Sequence, residues 1–300
     1  MPSSMTLNPV LLHLALGLNR ILTYTGYVLL AGTFAFWSLV WPEGRTDRRL
    51  VSLAAIGAGL MVVGTVGAPL IWVSSGQPLG DALSPVGGTG AIIRLAILVG
   101  VAFFFVDLIA SPVTVGRRSA SVGIVALLAA TLVVQSNAVV GPWQSAKIVA
   151  TAGHLLAVAA WLGGLVALAA VLIPRKNLQE LDVLIPRFST VAVFSVVTLV
   201  ITGAIHALAV AGGVGALLNS RYGHVLLFKL VFFGVMLLLG NEGRKYASRA
   251  VFARKHLPES ERGKSATRAD SLALVVGAEL TIAFVILSTT SILVMVAPQP

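Results

Sequence analysis

Residues 90–110 have the sequence GAIIRLAILVGVAFFFVDLIA, in which Arg94 and Asp107 are the only charged residues. At a helical rise of about 1.5 Å per residue, a run of this length can cross the roughly 30 Å hydrocarbon core of a bilayer. A transmembrane strand would be about half as long and would alternate apolar and polar residues. This stretch therefore predicts a transmembrane helix.

The composition extends this prediction to the whole chain of 300 residues. Hydrophobic residues make up 57% of it, charged residues 11%, and the mean hydropathy is +0.95. Soluble domains contain about 25% charged residues, so the chain is predicted to be an integral membrane protein. We predict an all-α fold, a bundle of eight transmembrane helices forming a single membrane domain over residues 1–300. The predicted spans are 21–41, 50–73, 90–110, 120–140, 147–173, 187–212, 222–241 and 269–296.

Residues 7–19 precede the first predicted span and allow two interpretations. They form either an interfacial turn of helix or an extension of that span. They contain no Lys or Arg and no small-residue cleavage site, so we do not expect a removed signal peptide.

Basic residues are concentrated in alternate loops. Of the 21 Lys and Arg residues, 16 lie in the loops after spans one, three, five and seven. Cytoplasmic loops of membrane proteins hold an excess of such residues, so we expect these four loops inside the cell and both termini outside. The net charge of +10 then reflects topology rather than a nucleic-acid partner. The 241–268 loop is expected to rest on anionic membrane lipid.

Four of the five histidines lie towards the outer side of the predicted bundle. His154 and His206 lie about two turns inside spans five and six, His13 precedes span one, and His224 opens span seven. Imidazole is the commonest metal ligand among side chains and also ligates haem, and polar groups within spans are seldom incidental. The pattern indicates a ligand site, although each histidine taken singly could equally be a packed residue bonded to backbone.

Four charged residues lie more than two residues from the ends of the predicted spans: Arg94, Asp107, Lys229 and Glu279. Such groups usually face the bundle interior or a wet cavity and pair with one another. One interpretation is an ion path beneath the histidines, with Lys229 and Glu279 as a gating or proton-coupled pair. The other is a structural ion pair that fixes helix packing. Arg94 is near the outer end of its span, from which it could snorkel to the interface.

Spans three and seven share a pattern that suggests an internal repeat. In both, a glycine is followed by a basic and then an acidic residue, and the basic-to-acidic spacing is 13 residues. Parallel duplication of a four-span unit would preserve orientation and divide the chain into halves at 1–146 and 147–300. The compared positions are Gly90, Arg94 and Asp107 in span three, and Gly223 and Lys229 in span seven with Glu242 directly after it.

Several function classes are disfavoured by what the sequence lacks. It contains no cysteine, and therefore no thiolate metal site and no c-type haem attachment. It has no phosphate-loop motif for a nucleotide and no evident pairing of nucleophile and base. We therefore expect a binding or transport protein rather than an enzyme, with neither nucleotide nor nucleic acid as a partner.

Short motifs follow one another in the second half of the chain, over roughly residues 147–297. They are His154-Leu155-Leu156 followed by Trp161-Leu162-Gly163-Gly164; Arg187-Phe188-Ser189 leading to Thr202-Gly203; Tyr222-Gly223 leading to Lys229; and Glu279. In this order and spacing they resemble the CopD-type bacterial copper-resistance and copper-uptake membrane proteins, so that 147–300 is a CopD-like half. The resemblance implies an eight-span protein of the bacterial inner membrane. Such a protein takes copper at the outer face, often from a small periplasmic copper-binding partner, and moves it inward.

The resemblance transfers five positions to this chain, namely His154, Trp161, Tyr222, Lys229 and Glu279. His206, His224 and His13 are supported by their depth and side alone. Trp161 and Tyr222 are expected to pack or to form a wall of the site. Met295 is the one methionine placed to join the site, with packing as its other interpretation.

The combined hypothesis is a copper permease of the inner membrane, with His154 as first ligand and His206, His224 and His13 as partners. A periplasmic copper carrier or the free ion would supply the metal. Two alternatives remain open. One is a haem b protein for electron transfer, in which two of these histidines are axial ligands. The other is a non-catalytic subunit that assists assembly of a copper enzyme.

Overall fold

The computed structural model describes residues 9–76, 78, 88–112, 114–136, 143–175, 178–211, and 223–240 apart from 225, 229 and 239. All regular secondary structure in these residues is helical. The long helices are α1 (Pro9–Leu39), α2 (Arg48–Ser74), α3 (Gly88–Ala110), α4 (Val115–Val134), α5 (Gln144–Val158), α6 (Gly164–Arg175) and α7 (Leu178–Ala211). A short 3-10 helix covers Pro42–Thr46, and a π-helical turn, Ala159–Gly163, joins α5 to α6 without a break.

Six helices in the described residues are long and apolar enough to cross a membrane, and the turn-linked α5 and α6 count as one of them. The all-α membrane bundle is thus confirmed for spans one to six. Where span seven was predicted, a shorter apolar helix covers Leu226–Leu238. Span eight, 269–296, lies outside the described residues, so the count of eight and the four-plus-four repeat stay predictions.

The first span is longer than predicted, because α1 begins at Pro9 rather than near residue 21. Residues 9–19 therefore extend the span, which was one of the two interpretations. Proline is favoured in the first turn of a helix, where its missing N–H costs nothing. The Asn19 side-chain amide donates to the carbonyl of Gly64 at 2.8 Å and so ties this extension to α2.

Helix α1 forms the centre of the described bundle. Tyr27, Phe34 and Trp37 on this helix are almost completely buried. Phe34 stacks on Phe104 of α3 with ring centroids 6.2 Å apart, and Trp37 lies 5.7 Å from Phe105. Helices α2, α4, α6 and the π turn also contact α1. These contacts position α2, α4, α6 and the π turn around α1, whereas α5 packs on α4 and α7.

Glycines let the backbones at this centre touch. A Cβ atom on Gly26 would lie 2.6 Å from the backbone nitrogen of Met61, so α1 and α2 pack backbone to backbone. A Cβ atom on Gly32 would lie 2.3 Å from the Cα atom of Gly163, in the π turn. The neighbouring Gly164 would likewise meet the ring of Phe188 at 2.7 Å. Gly163 and Gly164 are therefore sites of close helix packing.

One end of the bundle is held by arginines from the predicted basic loops, and we call it the basic end. Carbonyls in the last turn of a helix, or four residues before a proline as at Ala170, have no partner within that helix and can accept from an arginine. The hydrogen bonds are Arg45 Nε to Leu108 O at 3.0 Å, Arg49 to Ala170 O at 3.2 Å, Arg118 to Ser38 O at 2.6 and 3.0 Å, and Arg187 to Val40 O at 3.3 Å. The loops after spans one, three and five therefore gather at one end of the bundle, as expected for loops on one side of a membrane.

Candidate functional site

The structure brings two of the predicted ligands together in the half of the bundle opposite the basic end. His154 lies on α5 and His206 on α7, two helices in extensive contact. Their ring centroids are 6.4 Å apart, and the ring planes are nearly perpendicular, at 87°. Both side chains are partly buried. We call these two residues the histidine pair.

Two threonines bind the histidine pair in a reciprocal pattern. Nδ1 of His154 lies 2.9 Å from Oγ1 of Thr202, and Nε2 of His206 lies 3.0 Å from Oγ1 of Thr151. Each histidine is thus hydrogen-bonded to the helix that carries the other histidine. This arrangement joins α5 to α7 and fixes the orientation of both rings.

Sequence reasoning did not identify Thr151 as a site residue and met Thr202 only as part of a motif. A signal was nevertheless present, because Thr151 precedes His154 by three residues and Thr202 precedes His206 by four. Residues at these spacings share one face of a helix, so each helix presents a threonine and a histidine together. Which helix would face the other could not be read from this pattern.

Gly153 allows α7 to approach the site. A Cβ atom at this position would lie 3.3 Å from Cγ2 of Thr202, closer than an ordinary van der Waals contact. The next nearest atom would be Cγ2 of Thr198, at 3.8 Å. The absence of a side chain at Gly153 therefore sets how near Thr202 can come to His154.

The spacing of the rings is compatible with one shared metal ion. Bonds from a metal to an imidazole nitrogen are about 2.0 Å long, so two ligating nitrogens can be at most about 4 Å apart. Rings with centroids 6.4 Å apart reach this limit only when both ligating nitrogens lie on the line between the centroids, with the ion midway between them. Within the described residues there is no group of three or more His, Cys, Asp or Glu side chains able to hold a metal ion.

His13 and His224 do not join the histidine pair in a three-residue group within the described part of the chain. Both side chains are exposed, His13 near the start of α1 and His224 in a short helical segment with Gly223. The described residues therefore contain a pair of neighbouring histidines rather than the predicted group of four.

Arg94 corrects the expectation that it would snorkel to the outer interface. Its side chain is only 2% exposed and points into the bundle. Nε donates to Oγ1 of Thr131 at 2.9 Å, and another guanidinium nitrogen donates to the carbonyl of Thr131 at 3.0 Å and to Oε1 of Gln135. A longer contact of 3.5 Å reaches Oγ1 of Thr65 on α2. Neutral oxygens on α4 thus satisfy the guanidinium inside the bundle, so it gains nothing by extending to water.

Asp107 forms an ion pair, but with Arg117 rather than with a charge inside the spans. The two side chains are 2.9 Å apart, exposed, and close the turn between α3 and α4 at the basic end. Arg94 and Asp107 are therefore separate features. Four predicted residues lie outside the described residues, so the ion path and the proposed charge pair stay predictions: Lys229, Glu279, Tyr222 and Met295.

Trp161 is buried in the π turn and contributes to packing. Its ring meets that of Phe233 edge to face with a centroid distance of 5.7 Å. A π turn inserts an extra residue into a helix and changes the direction of the side chains that follow, and such turns are frequent at functional sites. Here the turn contacts α1, whereas α5 before it contacts α7 through the histidine pair.

Residues 182–293 match the family model for copper resistance protein D. These residues are a CopD-type region. The chain is also 32% identical over 207 residues to a copper resistance protein D from Pseudomonas syringae pv. tomato, a match that covers 65% of this chain and 64% of the relative. The predicted CopD resemblance is thereby confirmed. The CopD-type region includes His206 and His224 and begins after His154 and Trp161. No solved structure matches the chain.

Proposed function

We propose that this chain is a copper-binding membrane protein that receives copper at the histidine pair and moves it towards the basic end. The observation that carries the proposal is the placement of His154 and His206 on contacting helices, with ring centroids 6.4 Å apart. The CopD-type region and a relative named as a copper resistance protein support copper as the metal.

The ligand chemistry agrees with this choice. Neutral imidazoles suit copper, zinc and iron, whereas Mg²⁺ and Ca²⁺ require several oxygen ligands. The immediate polar partners of the two rings are threonine hydroxyls. A pair of imidazoles with neutral hydroxyl partners therefore favours a transition metal over the hard cations.

The direction of movement in this proposal follows from the charge distribution. Placing the basic end in the cytoplasm, as the excess of Lys and Arg suggests, puts the histidine pair in the outer half of a bacterial inner membrane with both termini outside. Copper would then arrive from a periplasmic carrier protein or as the free ion. Its route beyond the pair would run past Lys229 and Glu279, and the protein would catalyse no chemical reaction.

The geometry favours a single ion over haem b at the same histidines. Two axial ligands of a haem lie on opposite sides of a large planar macrocycle. In this protein each ring is hydrogen-bonded at 2.9 or 3.0 Å to the helix that carries the other ring. A macrocycle between the rings would separate α5 from α7 and break both bonds.

Copper binding by the purified full-length protein tests the site. His154→Ala and His206→Ala should each weaken copper affinity by about tenfold or more, since losing a partner of a ligand alone can cost that much. His13→Ala and His224→Ala are the matched controls and should bind as the parent does. Unchanged binding by both His154→Ala and His206→Ala would disprove the site, and a Soret band in the purified protein would favour haem.

Transport is tested separately in liposomes that contain the purified protein and a copper-sensitive dye. Copper added outside should reach the dye in vesicles with the parent protein and should not do so with His154→Ala. Only protein molecules whose histidine half faces the outside solution can take up the added copper. The fraction in this orientation is measured by the protease accessibility of the 241–268 loop. Tight binding without accumulation inside would reduce the function to copper binding.

A further inference from the structure

We infer that Thr151 and Thr202 are positioning residues that assign opposite tautomers to the histidine pair, leaving Nε2 of His154 and Nδ1 of His206 as the metal ligands. The proton assignment rests on hydrogen-bond geometry alone. Its consequence for copper rests on the proposed function.

The first step concerns Thr202, whose hydroxyl group has one proton. Its Oγ1 lies 2.7 Å from the carbonyl oxygen of Thr198, one turn earlier on α7, and 3.3 Å from that of Leu199. A carbonyl can only accept, so the hydroxyl proton is committed to the backbone. The contact at 2.9 Å between Oγ1 and Nδ1 of His154 must then be donated by the ring. His154 therefore carries its proton on Nδ1.

Thr151 supports the same argument with the opposite result. Its Oγ1 lies 2.7 Å from the carbonyl oxygen of Lys147 on α5, which takes the hydroxyl proton. The contact at 3.0 Å with His206 involves the other ring nitrogen, Nε2. His206 therefore carries its proton on Nε2 and has the tautomer opposite to that of His154.

A neutral imidazole with one protonated nitrogen has its lone pair on the other nitrogen. In the neutral form of each ring, copper would therefore bind at Nε2 of His154 and at Nδ1 of His206. Metal-binding histidines commonly donate their second N–H to a fixed acceptor, which sets the tautomer and orientation of the ring. Here the acceptors are hydroxyls that are themselves anchored to helix backbone, and each is supplied by the neighbouring helix. Contact between α5 and α7 therefore holds both rings in these forms.

The tautomers can be measured in full-length protein without metal by ¹⁵N NMR of protein labelled at histidine. The resonances are assigned with His154→Gln and His206→Gln. The expected result is a proton on Nδ1 for His154 and on Nε2 for His206. The Nδ1–H form is the less populated tautomer of free histidine, so its presence at His154 would identify the bond to Thr202.

Valine replacements then remove each acceptor while they preserve the shape of the side chain. Thr202→Val should shift His154 to the commoner Nε2–H form, and both Thr202→Val and Thr151→Val should lower copper affinity about 10- to 100-fold. Thr198→Val is the matched control. Thr198 makes the same kind of hydroxyl bond to the carbonyl of Phe194 on the same helix, at 2.9 Å. It should change neither the tautomers nor the affinity.

Different results would overturn the positioning role of the threonines and the proposed copper function. A proton on Nε2 of His154 in the parent protein, or tautomers and copper affinity unaffected by Thr202→Val and Thr151→Val, would overturn the positioning role and leave the copper site intact. Tautomers as assigned in a protein that binds no copper would retain the proton assignment and reject the proposed function.

Discussion

The two ends of this bundle use polar side chains in opposite ways. At the basic end, Arg118 and its counterparts carry full charges and donate to backbone carbonyls at the ends of other helices. In the opposite half, His154 and His206 exchange hydrogen bonds with threonine side chains in the middle of two contacting helices. The first kind of contact closes helix ends, and the second orients rings that could bind a ligand.

The difference follows from what each position offers. Helix ends have carbonyls without partners, which attract a cation regardless of the side-chain sequence around them. In the middle of a helix the backbone is already paired, so a cross-helix contact there must be made by side chains. Contacts at the basic end therefore bear on stability, whereas under the proposed function contacts at the histidine pair bear on ligand binding.

The largest effect is expected at Arg94, the one charge in the opposite half that the structure shows buried. Arg94→Leu should lower the free energy of unfolding by about 2 to 4 kcal/mol, because each buried polar group left without a partner costs about 1 to 3 kcal/mol. Thr131 and Gln135 would lose their donor. Denaturant unfolding in detergent measures this change. A variant as stable as the parent would show that the guanidinium contributes nothing to assembly.

A smaller loss of stability is expected at the basic end. Arg118→Leu removes two hydrogen bonds to the carbonyl of Ser38 and should cost about 1 to 2 kcal/mol, with copper affinity unchanged. Arg48→Leu is the control, since it removes the same charge at the same end and the described part of the chain provides no hydrogen bond to that side chain. Equal losses of stability in the two variants would show that the effect comes from removing a positive charge rather than from losing the hydrogen bonds to Ser38.

A modest effect on binding is expected at Gly153. The methyl group of Gly153→Ala would press on Thr202 and lengthen its bond to His154, so copper affinity should fall about threefold, equivalent to roughly 0.6 kcal/mol. In Gly203→Ala the added Cβ atom meets nothing within 4 Å, and this variant should bind as the parent does. If both alanine variants bind normally, the approach of α7 is not critical for the site.

The smallest effect is expected for the exposed pair of Asp107 and Arg117. Exposed ion pairs are well hydrated and screened by salt, so Asp107→Asn should leave the midpoint of thermal unfolding and the copper affinity unchanged. A clear loss of stability in this variant would mean that the turn between α3 and α4 depends on the ion pair. The carboxylate of Asp107 would then stabilise the basic end together with the arginines.

Much of the fold was predictable because membrane insertion depends on composition over about 20 residues rather than on detailed contacts. The sequence correctly predicted the all-helical class, spans one to six and the gathering of basic loops. It left open whether residues 9–19 extend the first span, and it was wrong about Arg94. Both outcomes depend on a partner on another helix: the carbonyl of Gly64 for Asn19, and Thr131 for Arg94.

The site was predictable only in part. Sequence singled out His154 through a family pattern and His206 through its depth, but it gave no means of choosing between His206, His224 and His13. The choice depends on which helix faces α5, which is a matter of packing. Thr151 was missed because a threonine bonded to its own helix backbone is an ordinary feature of membrane helices until a histidine is found beside it.

The sequence by itself determined that this protein lies in a membrane as a helical bundle, which end of that bundle is basic, and that it resembles CopD-type proteins. Hydrophobicity and charge are summed along the chain, so they need no knowledge of contacts. Only the tertiary structure decided that His154 meets His206 and that each is held by a threonine from the opposite helix. These contacts depend on the rotation and approach of α5 and α7, which pack closely where Gly153 faces Thr202.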